Sequence, residues 1–211
     1  MLAVAILMPA LLFLPAGTLD YWEAWVYLAI VLTSMIGYLL YFLKNDPGLL
    51  ERRMRAKEKE TRQRSLVIAM SLLFFLAYLV PGFDRRFGWS SLPVTAVLLA
   101  DLVVALSYAL IFLVLRENRY ASRIVEVEEG QEVVETGPYA VVRHPMYLGA
   151  LLMMLAAPLA LGSWWAILPA FANIPLLAAR IMDEEALLQQ ELEGYGAYME
   201  RTRFRLVPGV W

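Results

Sequence analysis

The chain has 211 residues, of which 61% are hydrophobic and 18% are charged, and its mean hydropathy is +0.60. A soluble domain is typically about 45–50% apolar and about 25% charged, so a single water-soluble core does not account for this composition. The net charge of −2 argues against a basic nucleic-acid-binding surface, and no nucleic-acid partner is expected. Without cysteine and with one histidine, the sequence excludes disulfides, thiolate metal ligands and multi-histidine metal sites, and we expect no metal.

The apolar residues fall in long blocks separated by polar segments, a pattern typical of a polytopic membrane protein. Residues 2–14 are short for a full crossing, so we expect a short or partly re-entrant helix there. Full spans are predicted at residues 21–43 and 92–115. A shorter span is predicted at residues 65–80, closed by Pro81 and Gly82.

The last two predicted helices cover residues 145–161 and 164–182. Only Gly162 and Ser163 separate them, which predicts an antiparallel helical hairpin. Three prolines inside these helices are expected to kink or break them, namely Pro158, Pro169 and Pro175. The expected fold is therefore an all-α membrane bundle of about five to six transmembrane helices, forming one domain over residues 1–211.

The distribution of positive charge predicts the orientation in the membrane. Of the 18 Lys and Arg residues, all except Arg85 and Arg86 lie within residues 44–64, 116–143 and 180–205. By the positive-inside rule these segments and both termini are cytoplasmic. Within them, residues 49–64 are predicted to form a basic interfacial helix and residues 124–134 a small hairpin.

One polar cluster, residues 136–149, lies where a cytoplasmic segment enters the fifth predicted helix. Pro145 suits the first helical position, which predicts that His144 caps the helix and that Arg143 lies just outside it. The N-terminus of such a helix can bind a carboxylate or a phosphate. The alternative is a helix start at the membrane boundary with no ligand.

A second polar cluster lies at the cytoplasmic end of the sixth predicted helix. Arg180 and Glu184 are four residues apart and share a helix face, whereas Glu185 turns away. An ordinary ion pair is the alternative, although arginine preceding glutamate is the less stabilising order. The predicted hairpin brings both clusters to the same side of the membrane, which favours a binding site there.

These residues carry a family resemblance, covering about residues 131–211. The sequence resembles the isoprenylcysteine carboxyl methyltransferase family, and its ending is similar to the prokaryotic members. The motifs are Gly137-Pro138-Tyr139, Arg143-His144-Pro145-Met146-Tyr147-Leu148-Gly149, Glu184-Glu185, Gly194-Tyr195-Gly196-Ala197-Tyr198 and Arg205-Leu206-Val207-Pro208-Gly209-Val210-Trp211.

The resemblance implies a membrane enzyme that transfers a methyl group from S-adenosylmethionine, with S-adenosylhomocysteine as product, to a lipophilic acceptor. Its catalytic part would be about residues 117–211, including a small cytoplasmic cofactor-binding segment and the C-terminal tail. The implied catalytic residues are Arg180, which would also bind the substrate carboxylate, and Glu184. The implied cofactor-binding residues are Gln131, Glu132, Val133, Val134, Tyr139, His144, Pro145, Met146, Tyr147 and Glu184.

Three other functions stay open at this point. A phospholipid or small-amine N-methyltransferase would use the same donor. Part of the Arg143–Gly149 motif also resembles sterol-type reductases, which use NADPH. A membrane scaffold or transporter would use no cofactor.

Two further features are interpreted structurally. Asp101 lies within a predicted span and is expected to hydrogen-bond Ser107, Asn173 or another helix, the alternative being that it marks a substrate path. The alternating Arg201, Arg203 and Arg205 are expected to contact lipid headgroups.

Overall fold

The computed structural model describes residues 2–54, 61–121, 127 and 130–211, and in these ranges the regular secondary structure is helical. The elements in chain order are α1 (Leu2–Ala16), α2 (Trp22–Asn45), α3 (Pro47–Met54), α4 (Thr61–Phe87), α5 (Val94–Glu117), a 3-10 turn (Gly137–Ala140), α6 (Pro145–Ala160), α7 (Ile167–Glu191) and α8 (Tyr195–Arg201). The predicted all-α membrane bundle is confirmed.

Within the described ranges, three helices are long and apolar enough to cross a membrane, namely α2, α4 and α5. The 24 residues of α2 and of α5 each extend about 36 Å, which exceeds the roughly 30 Å of a hydrocarbon core. Shorter apolar stretches occur in α1 (Ala5–Ala16) and in α6 (Pro145–Ala160). The side chains of Leu72, Leu99 and Leu106 are more than half exposed, as expected of a lipid-facing surface.

The bundle is held by three helix pairs, because α5 packs against α6, α1 against α4, and α4 against α7. Its largest apolar core includes Leu12, Tyr27, Val104 and Leu161, each at most 1% exposed. The predicted hairpin is present, since α6 and α7 contact each other across the short connection of residues 161–166. As a result, the start of α6 and the end of α7 lie at the same end of the bundle.

The opposite end of the bundle is closed by a small polar network. The carboxylate of Asp84 accepts hydrogen bonds from the backbone and hydroxyl of Ser90, at 2.7 and 2.6 Å, and from the hydroxyl of Ser163. The Tyr21 hydroxyl donates to the Leu161 carbonyl at 2.6 Å. Exposed tryptophans border this end, as they do at membrane interfaces: Trp22, Trp25, Trp89, Trp164 and Trp165.

Proline breaks the helices less than expected. The prediction that Pro81 and Gly82 close a span is wrong, since α4 continues to Phe87. Pro158 and Pro175 also lie inside continuous helices, and Pro169 lies in the first turn of α7, where no backbone N–H is needed. Gly82 serves packing instead of ending the helix, because α1 crosses α4 so closely there that only glycine fits.

Two predicted cytoplasmic elements differ from the structure or lie partly outside the described residues. Of the predicted interfacial helix, the residues up to Met54 belong to α3 and those from Thr61 onward belong to α4, while residues 55–60 lie outside the described residues. Five of the eleven residues of the predicted hairpin at residues 124–134 lie outside the described residues. The described residues 131–134 form no strand.

We expect Gly82→Ala to lower the free energy of unfolding by about 1–3 kcal/mol. An added Cβ would lie 2.6 Å from the Leu12 carbonyl oxygen and 2.9 Å from the Pro15 Cβ, so the α1–α4 contact must open. Thermal unfolding in mild detergent measures the effect. Gly37→Ala is the control, because an added Cβ in α2 meets no atom within 4 Å. Equal stability of the two variants would contradict the close crossing.

Candidate active site

A cavity of about 280 Å³ lies at the end of the bundle where α5 and α7 end and α6 begins. Its walls come from α3, α6, α7, α8, the 3-10 turn and the segments that precede and follow that turn. The lining residues are Arg53, Asn118, Tyr120, Ala121, Gln131, Glu132, Val133, Val134, Tyr139, Arg143, His144, Pro145, Met146, Tyr147, Arg180, Glu184, Leu188, Leu192, Tyr195 and Tyr198.

The structure brings together all the site residues that the sequence predicted. Each of them lines this cavity: Gln131, Glu132, Val133, Val134, Tyr139, His144, Pro145, Met146, Tyr147, Arg180 and Glu184. The α6–α7 hairpin explains why the predicted residues of these two helices meet, because it places the first turn of α6 beside the C-terminal part of α7. Their individual roles stay predictions.

One hydrogen-bonded network connects α4, α6 and α7 at the cavity wall. The Tyr147 hydroxyl donates to Glu184 Oε2 and accepts from Arg180 Nε at 3.1 Å. Arg180 Nη1 also donates to Gln63 Oε1 at 2.9 Å, and Gln63 Nε2 donates to Asp183 Oδ2 at 3.0 Å. Since Arg180 and Gln63 are only 6% and 3% exposed, the plane of the guanidinium is held rigidly at the wall.

A second network surrounds the buried carboxylate of Glu185, behind the cavity wall. Its Oε1 accepts from Arg143 Nε at 2.6 Å and lies 3.2 Å from His144 Nε2. Its Oε2 accepts from Arg205 Nε at 2.7 Å. Burial raises the pKa of Glu185, but the hydrogen bonds from His144, Arg143 and Arg205 outweigh it and lower that pKa to about 2.

The C-terminal tail is bonded to the start of α6. The backbone N–H groups of Arg143 and His144 donate to the carbonyls of Phe204 and Arg205, both at 2.9 Å. The Arg143 guanidinium also donates to the carbonyls of Thr202 and Arg203, both at 2.8 Å. The tail therefore forms a fixed part of the site.

Tyr139 links the 3-10 turn to two neighbouring segments. Its hydroxyl accepts a hydrogen bond from Asn118 Nδ2 at 2.9 Å, and its carbonyl accepts from the Tyr198 hydroxyl at 2.8 Å. Burial raises the pKa of Tyr139 to about 12, and the Glu184 charge adds to this while the Asn118 hydrogen bond opposes it. The Tyr139 hydroxyl is therefore neutral at physiological pH and can serve as a hydrogen-bonding group.

The structure bears on three local interpretations of the sequence. His144 is the N-cap residue of α6, as predicted, but its side chain makes no capping hydrogen bond, because its ring is engaged by Glu185. Arg205 and Arg201 pair with Glu185 and Glu135, and the expected contact of these arginines with lipid headgroups stays a prediction. Both carboxylate oxygens of Asp101 are buried with no hydrogen-bond partner among the described residues, since Ser107 and Asn173 bond carbonyls of their own helices.

Two residues that build the site, Gln63 and Glu185, are not predicted from the sequence. Gln63 is a buried amide near the start of an apolar helix, and a polar residue just inside a membrane span was the available signal. For Glu185 the helical spacing predicts only that its side chain points away from that of Glu184. Glu185 does not line the cavity, yet it anchors the segments that do.

Residues 95–193 match the family model described as phospholipid methyltransferase. The match runs from the start of α5 to just beyond α7 and includes most of the cavity lining. No curated protein matches the chain.

We expect Glu185→Gln to lower the free energy of unfolding by about 3–5 kcal/mol at pH 7, because it leaves the buried Arg143 and the half-buried Arg205 without their counter-charge. Since the pKa of Glu185 is lowered from 4.5 to about 2, the stabilisation is complete above about pH 4.5. The difference between wild type and variant should therefore shrink as the pH falls from 4.5 to 2.

Unfolding in detergent, followed as a function of pH, measures this difference. Glu191→Gln is the matched control, because Glu191 is exposed at the end of α7. A stability difference that stays constant from pH 7 to pH 2 would show that the charge of Glu185 is not the stabilising feature.

Proposed function

We propose that this chain uses the cavity to methylate the carboxylate of a lipophilic acceptor. Residues 95–193 match the phospholipid methyltransferase model, which belongs to the isoprenylcysteine carboxyl methyltransferase family, so the chain is a membrane methyltransferase. The predicted family and enzyme class are confirmed. Methyltransferases of this kind use S-adenosylmethionine. The match gives no support to the reductase, scaffold or transporter alternatives.

The chemistry of the cavity fits S-adenosylmethionine. The Glu184 carboxylate suits the ribose hydroxyls or the amino group of the donor, and the first turn of α6 suits its carboxylate through the helix dipole. Residues 131–134 and Tyr139 would form the remaining wall on the donor side. The cavity volume of about 280 Å³ is close to the lower end of small-molecule sites, about 300–1,000 Å³.

The observation that carries the proposal is the Glu184–Tyr147–Arg180 network in one cavity wall. The network connects the Glu184 carboxylate, which suits the methyl donor, with the Arg180 guanidinium, which suits the carboxylate of an acceptor. Tyr147 and Gln63 hold the guanidinium in one plane, and a planar fork binds a carboxylate better than a lysine does. Arg180 would thus bind and orient the acceptor.

Bound S-adenosylmethionine would supply a methyl group on a sulfonium, and its transfer to a carboxylate oxygen forms an ester and a neutral thioether without any proton transfer. The chain's own residues then need to orient the two molecules and exclude water. This matches a cavity whose titratable groups are held in hydrogen-bonded networks.

An N-methyltransferase acting on a phospholipid or small amine is the second candidate, because the description of the matched family favours it. The Arg180 guanidinium favours the carboxylate acceptor instead. Of the three lining arginines, Arg143 is paired with Glu185, which leaves Arg53 and Arg180 beside the carboxylates of Glu132 and Glu184. A cationic amine at Arg180 would face a like charge and would also have to lose a proton before attack.

We also propose that the cavity faces the cytoplasm and that residues 117–211 are the catalytic part of a single domain. The support for the orientation is the basic character of the cavity end, since only Arg85 and Arg86 of the 18 Lys and Arg residues lie in the segments at the opposite end. A lipophilic acceptor could then reach Arg180 from the bilayer while the donor enters from the aqueous side.

We expect Glu184→Gln to weaken the binding of S-adenosylhomocysteine by about 10- to 100-fold, because a hydrogen bond to a charged group contributes about 1.5–3 kcal/mol. Calorimetry of the purified protein in mild detergent measures this affinity. Glu193→Gln is the control, because Glu193 is exposed just after α7. If the wild-type protein binds no S-adenosylhomocysteine, the proposed function is wrong.

We expect membranes containing the protein to transfer labelled methyl from S-adenosylmethionine to a lipid-extractable product that releases methanol in mild alkali. Alkali cleaves methyl esters and leaves N-methyl groups intact, so it separates the two candidate acceptors. Arg180→Lys should raise the KM for the acceptor about 10-fold or more, because a lysine cannot make the planar pairing. Alkali-stable label, or an unchanged KM, would instead favour the amine acceptor.

A further inference from the structure

Arg53 of α3 brings a positive charge to the cavity from outside the region that the family model matches. Of the described residues that line the cavity, Arg53 alone comes from a segment before residues 95–193. It is half-buried, and its Nη1 donates to the carbonyl of Ala121, another lining residue, at 3.4 Å. A guanidinium has five N–H donors, so Arg53 can keep this bond and also bind a ligand.

The packing of α3 determines where the Arg53 side chain lies. Leu49 is fully buried in an apolar cluster that includes Leu115 of α5 and Met146 in the first turn of α6. The Leu49 backbone N–H donates to Asp46 Oδ1 at 3.0 Å, which fixes the start of α3. Arg53 follows Leu49 by four residues and shares its helix face, so the face of α3 that packs toward α5 and α6 also carries the guanidinium.

The cavity has two sides that differ in their cationic group. Arg180 and Tyr147 lie where α4, α6 and α7 meet, on the proposed acceptor side. Arg53 acts on Tyr139, because burial raises the pKa of Tyr139 and the Arg53 charge opposes this rise. The Tyr139 hydroxyl accepts from Asn118 Nδ2 at 2.9 Å, and Asn118 also lines the cavity. Arg53 therefore lies close to residues proposed for the donor side.

We propose that the Arg53 guanidinium binds the α-carboxylate in the methionine part of S-adenosylmethionine, beside the first turn of α6. This inference rests on the proposed function. The donor carries a sulfonium, an α-ammonium group and one carboxylate, so the carboxylate is the group with which a guanidinium can pair. The dipole of α6 attracts the same negative charge. A cofactor-binding residue would then come from α3, before the matched region.

The test compares Arg53→Gln with Arg52→Gln, because these neighbours in α3 each lose one positive charge. Arg52 is not among the residues that line the cavity, and it pairs with Asp46 at 3.8 Å. Arg53→Gln should weaken S-adenosylhomocysteine binding about 10- to 100-fold in calorimetry, as expected for a hydrogen bond between charged groups. Arg52→Gln should leave this affinity unchanged. Arg53→Lys keeps the charge without the planar fork, so its affinity should lie between those of wild type and Arg53→Gln.

A second arm uses decarboxylated S-adenosylhomocysteine, which lacks the proposed partner of Arg53. Wild type and Arg53→Gln should bind this analogue equally tightly. An equal loss of affinity for both ligands in Arg53→Gln, or in Arg52→Gln and Arg53→Gln alike, would overturn the inference. Unchanged S-adenosylhomocysteine binding with a raised KM for the acceptor would also overturn it, by assigning Arg53 to the acceptor. Absence of S-adenosylhomocysteine binding by the wild-type protein would instead overturn the proposed function.

Discussion

The carboxylate of Glu185 joins three segments that are far apart in the sequence, and the cavity depends on this junction. It is 4% exposed and accepts hydrogen bonds from Arg143 before α6 and from Arg205 in the tail. Backbone hydrogen bonds from residues 143 and 144 to the carbonyls of residues 204 and 205 reinforce the contact. A buried carboxylate is tolerated only with such partners, so the charge cluster specifies one arrangement of α6, α7 and the tail.

Glu184 and Glu185 of α7 make different contacts, because consecutive residues of a helix point about 100° apart. Glu185 faces the tail, whereas Glu184 faces the cavity and accepts from the Tyr147 hydroxyl. Tyr147 also accepts from Arg180, one turn earlier in α7. A change on the proposed acceptor side can therefore reach the proposed donor side through a single hydroxyl group.

The polarity of the bundle ends fits the proposed action of this methyltransferase on a lipophilic acceptor. The end opposite the cavity is closed by the Asp84 network and bordered by exposed tryptophans. The lateral surface is apolar along α2, α4 and α5, which are the helices long enough to cross a bilayer in the described part of the chain. The cavity lies at the basic end, where an aqueous donor and a lipid-soluble acceptor can meet.

Hydropathy and charge spacing were sufficient to predict a helical membrane bundle, because a chain in hydrocarbon must satisfy its backbone hydrogen bonds internally. The same local signals predicted that α6 begins at Pro145 and that residues 143–147 and 180–184 share one end, since a short connection forces an antiparallel hairpin. The residues that line the cavity were predicted from the helical hairpin and from the family resemblance.

Only the tertiary structure decided the partners of the buried polar groups. Arg180 bonds Gln63 from 117 positions away, and Arg143 bonds the tail carbonyls from about 60 positions away. The continuation of α4 through Pro81 and the packing of α3 near the first turn of α6 likewise depend on which segments pack together. Helix formation is governed by neighbours within a turn or two, whereas these contacts are set by long-range packing, which leaves no periodic signal in the sequence.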